Sequence, residues 1–235
     1  MWPFKKKYSL ADSSVFQGFT DWHNHILPGV DDGVQTMDEA LEILALYERL
    51  GVKEIWLTPH IMEDIPNTTA HLKERFKELR AAYKGNIELN LSAEYMLDNL
   101  FRQRLDDNDL LPFGERGDRL LVETSYHNPP ENFYVLLEEI KAKGFHPVLA
   151  HPERYTYMEK DAYRNLKDMG IRFQLNLFSL TSLYGKEAQK NADYLAQKGL
   201  YDLSGTDIHG IKMFQTCLTG KIKYKIPGTR FLQCL

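Results

Sequence analysis

From Phe19 onward the chain alternates short apolar runs with amphipathic ones, and this alternation limits its fold more than any other feature. Strands are predicted at residues 19–23, 52–60, 86–93, 119–123, 145–151, 171–176 and 200–204. Between most of them the apolar spacing becomes helical, over 36–51, 69–83, 129–143, 161–169 and 186–198. Thr36 reads as an N-cap with Glu39 as its capping-box partner, and Gly51, Gly85 and Gly144 read as helix ends. Pro129 and Pro130 suit the first turn of the helix that follows 119–123. About seven such units in a row, with no low-complexity linker, argue for parallel strands. No GxGxxG or GxxxxGK[ST] loop is present, which favours a barrel over an open nucleotide-binding sheet.

A chain of 235 residues can bury a core without covalent staples, so one domain over 19–235 is expected, preceded by a tail at 1–18. The 29 Lys and Arg against 33 Asp and Glu leave a net charge of −4, which gives no pull toward nucleic acid. The two cysteines, Cys217 and Cys234, make no disulfide framework and suit a reducing, cytoplasmic setting. No run approaches the roughly 18 apolar residues of a transmembrane segment. The N-terminal MWPFKKKYSL carries Lys5, Lys6 and Lys7 with no apolar stretch behind them, so it reads as a solvated tail rather than a signal peptide.

The chemistry lies at the predicted strand ends. TDWHNHILPGVDDG packs Asp21, His23, His25, Asp31 and Asp32 into one short stretch after the first strand. His60 closes the second strand in TPH, Glu94 the third in SAEY, and Glu123 the fourth in LLVET. His151 closes the fifth in LAHPER, and Asp207 and His209 follow the last in SGTDIH. Taken singly, each has an ordinary explanation: a strand-end histidine is often a hydrogen-bonded structural residue, and Glu123 could be a carboxylate paired to an arginine. Their recurrence is what matters. In a parallel β/α barrel the C-terminal strand ends share one mouth. Imidazoles and carboxylates gathered there suit manganese, iron or zinc, and the lack of cysteine argues against a closed structural zinc site. The set is too large for one ion, so two or three are expected. Asp21 should share the face of His23 and support it rather than ligate. His71, His127 and His146 are not counted among the ligands.

In order and spacing, DWHNHILPGVDDG, TPH, AEY, LVE, AHPERY and GTDIH resemble the polymerase and histidinol phosphatase (PHP) superfamily over residues 19 to 210. H-x-H followed by DDG, and later H-x-ERY, is most similar to its bacterial tyrosine-protein phosphatase branch, associated with capsule and exopolysaccharide loci. The resemblance implies a distorted (β/α)7 barrel with a trinuclear centre. One ion would take His23, His25, Glu94 and Asp207. A second would share Glu94 and take Glu123 and His151, and a third would take Asp32, His60 and His209. Arg154 would grip the substrate phosphate with its planar guanidinium. Arg154 and His209 are the expected catalytic residues. Members of the branch carry a second basic residue past D-x-H, and Lys212 is the candidate here, although Gly210, Gly220, Pro227 and Gly228 leave room for at most one short helix.

The implied reaction is hydrolysis of phosphotyrosine in a protein, such as a bacterial tyrosine kinase tail, by attack of a metal-bound hydroxide. Divalent ions, manganese first among them, would lower the pKa of bound water toward ~7 and neutralise phosphate charge. No C-x5-R loop follows a strand, so the thiol mechanism of other tyrosine phosphatases is not available. The alternatives are a phosphoesterase for a small ester such as histidinol phosphate, and a metal-free binding protein on the same scaffold.

Overall fold

The computed structural model describes residues 8–222. Trp2, Phe4, Lys5–Lys7, Pro227, Gly228 and Cys234 lie outside the described residues. In chain order the elements are β1 (Tyr8–Ser9), β2 (Thr20–Asp21), α1 (Met37–Leu50), β3 (Glu54–Leu57), β4 (His60–Ile61), α2 (Thr69–Ala82), β5 (Glu88–Leu91) and β6 (Glu94–Met96). Then come α3 (Asn99–Asp107), β7 (Arg119–Glu123), α4 (Phe133–Ala142), β8 (His146–Ala150), α5 (Lys160–Asp168), β9 (Arg172–Asn176), α6 (Gly185–Gln197), β10 (Leu203–Gly205), α7 (Ile211–Thr219) and β11 (Lys221–Ile222).

The strands of the main body are parallel, in the orders β2-β3-β5 and β10-β9-β8-β7-β6-β4. Two predicted strands are interrupted: 52–60 near its end, and 86–93 just before the strand that begins at Glu94. The run 52–60 divides into β3 and β4 at Thr58–Pro59, where proline has no N–H for the ladder. The run 86–93 ends as β5, and β6 begins at Glu94. Backbone bonds cross both breaks: Ser92 N–H donates to Leu57 O (2.8 Å) and Glu94 N–H to Pro59 O (3.1 Å). At the other edge Trp22 N–H donates to Ser204 O (3.3 Å) and Asp207 N–H to His23 O (2.7 Å), so the sheet curls until its first and last parallel strands approach each other.

Thr36 caps α1 as expected, its hydroxyl accepting the Glu39 N–H (3.2 Å). Glu39 does not complete the capping box. Its carboxylate accepts the Ile211 N–H instead (3.0 Å), capping the first turn of α7 across the fold. Ala40, Ile43, Leu44 and Tyr47 form the buried stripe of α1. The helix expected from Pro129 begins only at Phe133, after a turn closed by Phe133 N–H to Pro130 O (3.0 Å).

Residues 8–18 differ from the expected tail. β1 pairs antiparallel with β11, and Leu10, Val15 and Phe16 are buried. Phe16 packs edge-on against Phe19 (5.8 Å) and Phe214 (6.0 Å), an apolar surface that the local sequence could not reveal.

Within the curl, Trp22, Trp56, Phe113, Leu121, Val148, Ala150 and Leu203 form a small cluster separate from the main core. The two indoles stack at 5.7 Å and Phe113 tilts against both. Side chains two apart on a strand share a face, so Glu123 lies on the side of Leu121 and Glu94 pairs in register with Leu121. This apolar cluster is the dry floor above which the polar strand ends meet.

Candidate metal centre

All nine predicted ligands converge on one site, although His60 and Glu94, expected to close strands, instead open β4 and β6, because their strands are interrupted just before them. His23 and His25 lie on the extended segment after β2, and both are fully buried. Gly205 makes room for them: a Cβ there would lie 2.5 Å from His23 Cβ and 2.7 Å from its backbone nitrogen. Asp21 spends its carboxylate elsewhere, accepting from Tyr47 OH (2.7 Å), Thr206 N–H (2.9 Å) and Thr206 OH (2.8 Å). It ties β2 to the segment after β10 and does not ligate.

The inner group is His23, His25, Glu94 and Asp207. His23 Nε2 is 3.0 Å from Glu94 Oε2, 3.5 Å from Asp207 Oδ1 and 3.2 Å from His25 Nε2. His25 Nε2 is 3.3 Å from each of the same two oxygens. Ligands held ~2.1 Å from one cation are about 3.4 Å apart at tetrahedral geometry and about 3.0 Å apart at octahedral geometry. These spacings fit a coordination shell. Glu94 Oε2, although buried, lacks a well-directed hydrogen bond among the described residues, as expected of an atom shaped for a cation.

The other groups divide differently from the expectation. His60 joins Glu94 and Glu123, with Nδ1 3.2 Å from a carboxylate oxygen of each. His151 also reaches this pair, with Nε2 3.2 Å from Glu94 Oε1 and 3.8 Å from Glu123 Oε2. The outer group brings together His25, Asp32, His60 and His209. Asp32 Oδ1 is 3.6 Å from His60 Nε2 and 3.5 Å from His209 Nε2. His60 thus presents one ring nitrogen to each of two groups, and Glu94 lies between the inner two.

Charge pairing explains the protonation of the cluster. Burial alone would lower His23, but the Glu94 and Asp207 carboxylates reverse this and hold it up at about 9. Burial likewise opposes and Asp31 chiefly supports His25, whose pKa is raised. Burial would raise Glu94 and Asp207, yet His23 and the neighbouring hydrogen bonds hold both well below the usual carboxylate range. The imidazole of His209 draws Asp32 down to about 2. Protons here stand where cations could stand.

Two supporting residues are not assigned a role from the sequence. Asp31 accepts from His25 Nδ1 (2.8 Å), His60 N–H (3.0 Å) and Gly33 N–H (2.9 Å), turning His25 Nε2 toward the inner group. Gln174 on β9 takes the matching place at His23 Nδ1 (2.9 Å) and accepts the His151 N–H (3.2 Å). The DDG motif could have pointed to Asp31, whereas Gln174 has no local mark. His151 (φ 33°) and Asp207 (φ 52°) adopt the left-handed region, a cost usual where a site over-determines its backbone.

Arg154 lies beside the inner group. Its Nη1 donates to Asp207 Oδ2 (2.6 Å), and Asn176 donates to the same oxygen (3.0 Å). Tyr126 and Tyr184 cover the guanidinium carbon at 4.5 and 4.1 Å. Lys212 is exposed on the first turn of α7 and has no ion pair among the described residues. His71 and His146 are exposed, and His127 is an exposed loop residue 3.3 Å from Thr156 Oγ1.

A curled parallel α/β sheet with buried imidazoles and carboxylates gathered at its C-terminal rim defines a candidate multi-metal centre. Residues 19–223 match the family described as capsular polysaccharide synthesis, CpsB/CapC, and the chain belongs to that family. It is 29% identical over 204 residues to the tyrosine-protein phosphatase CpsB of Streptococcus pneumoniae, covering 81% of this chain and 83% of the relative. It is 27% identical over 198 residues to the tyrosine-protein phosphatase YwqE of Bacillus subtilis (strain 168), covering 82% and 78%. A chain from the crystal structures of YwqE and CpsB, described as unique metal-dependent tyrosine phosphatases, superposes with a TM-score of 0.76 at 25% identity, over 83% of this chain and 81% of that one. In fold alone, the lactonase Lmo2620 of Listeria monocytogenes is similar, with a TM-score of 0.52 at 12% identity.

Proposed function

We propose that this chain is a metal-dependent protein-tyrosine phosphatase of the cytoplasm, acting on phosphotyrosine in a protein such as the tail of a tyrosine kinase. The observation that carries the reading is the convergence of nine imidazole and carboxylate side chains at coordination spacing. The curled sheet is read as a distorted (β/α)7 barrel. His23, His25, Glu94 and Asp207 would hold one cation, Glu94, Glu123 and His151 a second, and Asp32, His60 and His209 a third. Manganese is the first choice, with iron or zinc as alternatives. When bound, such ions supply a nucleophile at neutral pH and neutralise phosphate charge.

The chain's own residues supply the rest. Arg154 is held by Asp207 and offers its remaining donors to the phosphoryl oxygens. Lys212, at the start of α7, is the candidate for a second phosphate contact. His209 stands at the solvent side of the cluster, its Nδ1 held by the Asp207 carbonyl (2.9 Å), where an incoming ester would arrive. Tyrosine leaves as a phenolate of pKa about 10, so it needs less protonation than an alkyl alcohol. The open mouth supports a protein substrate over a small enclosed ester: the Asp32 side chain is 65% exposed, and Ser125–Pro129 lie exposed at the rim.

Elemental analysis and a phosphotyrosine-peptide assay on one sample test the proposal, with histidinol phosphate as the competing substrate. Bound divalent metal and faster peptide turnover are expected. Arg154→Ala should keep its metal and lose roughly 10²–10³-fold in kcat/KM. Metal-free active protein, or faster histidinol phosphate turnover, would overturn the reading.

A further inference from the structure

The guanidinium of Arg154 lies against two aromatic rings, 4.5 Å from the centre of Tyr126 and 4.1 Å from that of Tyr184. Tyr126 comes from the loop after β7 and Tyr184 from the turn that opens α6, so two distant segments enclose it. Tyr126 packs in turn against His151 (5.8 Å) and Tyr155 (6.1 Å), and Asn176 holds the same Asp207 oxygen that Arg154 does. Nη1 is committed to Asp207. Among the described residues Nε and Nη2 have no hydrogen-bond partner, and neither is sealed from solvent. A free arginine side chain samples many rotamers, and freezing it on ligand binding costs up to ~2 kcal/mol. Here two rings and one ion pair already restrain it.

We propose that Tyr126 and Tyr184 are positioning residues, an aromatic clamp that holds the Arg154 guanidinium in one plane and presents its free Nε/Nη2 edge to the oxygens of a phosphoryl group at the mouth. This rests on the reading of Arg154 as the phosphate contact. The clamp acts through its π faces, so bulk alone should not replace it.

The test compares Phe with Leu at each position, because Leu fills most of the volume and lacks the π face. Inorganic phosphate is titrated calorimetrically into the metal-containing protein, and metal content is measured on every variant. Tyr126→Phe and Tyr184→Phe should bind phosphate within twofold of the parent. Tyr126→Leu and Tyr184→Leu should bind roughly three- to tenfold more weakly with unchanged metal content. In an Arg154→Ala background the same Leu substitutions should have no further effect. Leu variants that match the Phe variants, or that weaken binding equally without Arg154, would overturn the clamp. If the parent binds phosphate and cleaves phosphotyrosine peptide while the clamp result fails, only the clamp is lost. If the parent's phosphate binding does not depend on Arg154, both readings fall.

Discussion

At the scale of single residues, this protein separates groups that could ligate from groups that hold them in place. His23 and His25 each have two ring nitrogens, and only one can face the cluster. Gln174 takes the other nitrogen of His23 and Asp31 that of His25. Asp31→Ala should therefore keep all nine candidate ligands and still lose roughly 10- to 100-fold in metal affinity, measured by competition against a chelator. An affinity equal to the parent's would show that His25 needs no such support. The ligand candidates were legible from recurrence, since the same chemical types close strand after strand. Gln174 was not, because its importance comes from a histidine 151 positions away. The same holds for Tyr184, whose value lies in the cation it covers.

At the scale of elements, the helices and the middle strands lie close to where local patterns place them. β7, expected at 119–123, spans Arg119–Glu123. The failures lie where a neighbour decides. Glu39 has the spacing of a capping-box residue, but the N-terminus of α7 competes for its carboxylate and takes it. The predicted strand 52–60 breaks at Thr58–Pro59, and 86–93 ends at Leu91 before a new strand opens at Glu94. β10 has its own constraint, because it passes against the backbone of His23 with no room for a side chain at Gly205. Gly205→Ala should cost about 1–3 kcal/mol in urea unfolding and lower metal content as His23 is displaced. Parent stability and full metal content together would show that the strand can shift away without consequence.

For the whole molecule, the cluster couples folding to pH and to metal. In metal-free protein His23 is raised to about 9 from an ordinary 6.5, so its contribution is complete below pH 6.5 and is lost as pH rises through about 9. Asp32 is lowered to about 2, so its contribution is present above its ordinary value and is lost only as pH falls through about 2. Metal competes with the imidazole protons, so its stabilisation should grow over the interval in which His23 loses its proton. Melting with and without EDTA should thus show a wider gap at pH 9 than at pH 6, and a gap that narrows with pH would contradict this account. The amino-acid sequence by itself determined the alternation of strands and helices, and with it the single mouth where the strand-end histidines and carboxylates meet, because side-chain period and parallel connection are local properties of the chain. Only the tertiary structure decided how those side chains divide into groups, which residues orient them, that residues 8–18 belong to the packed body, and how Arg154 is enclosed. Those depend on distances of a few ångströms between segments far apart in sequence, which no local pattern encodes.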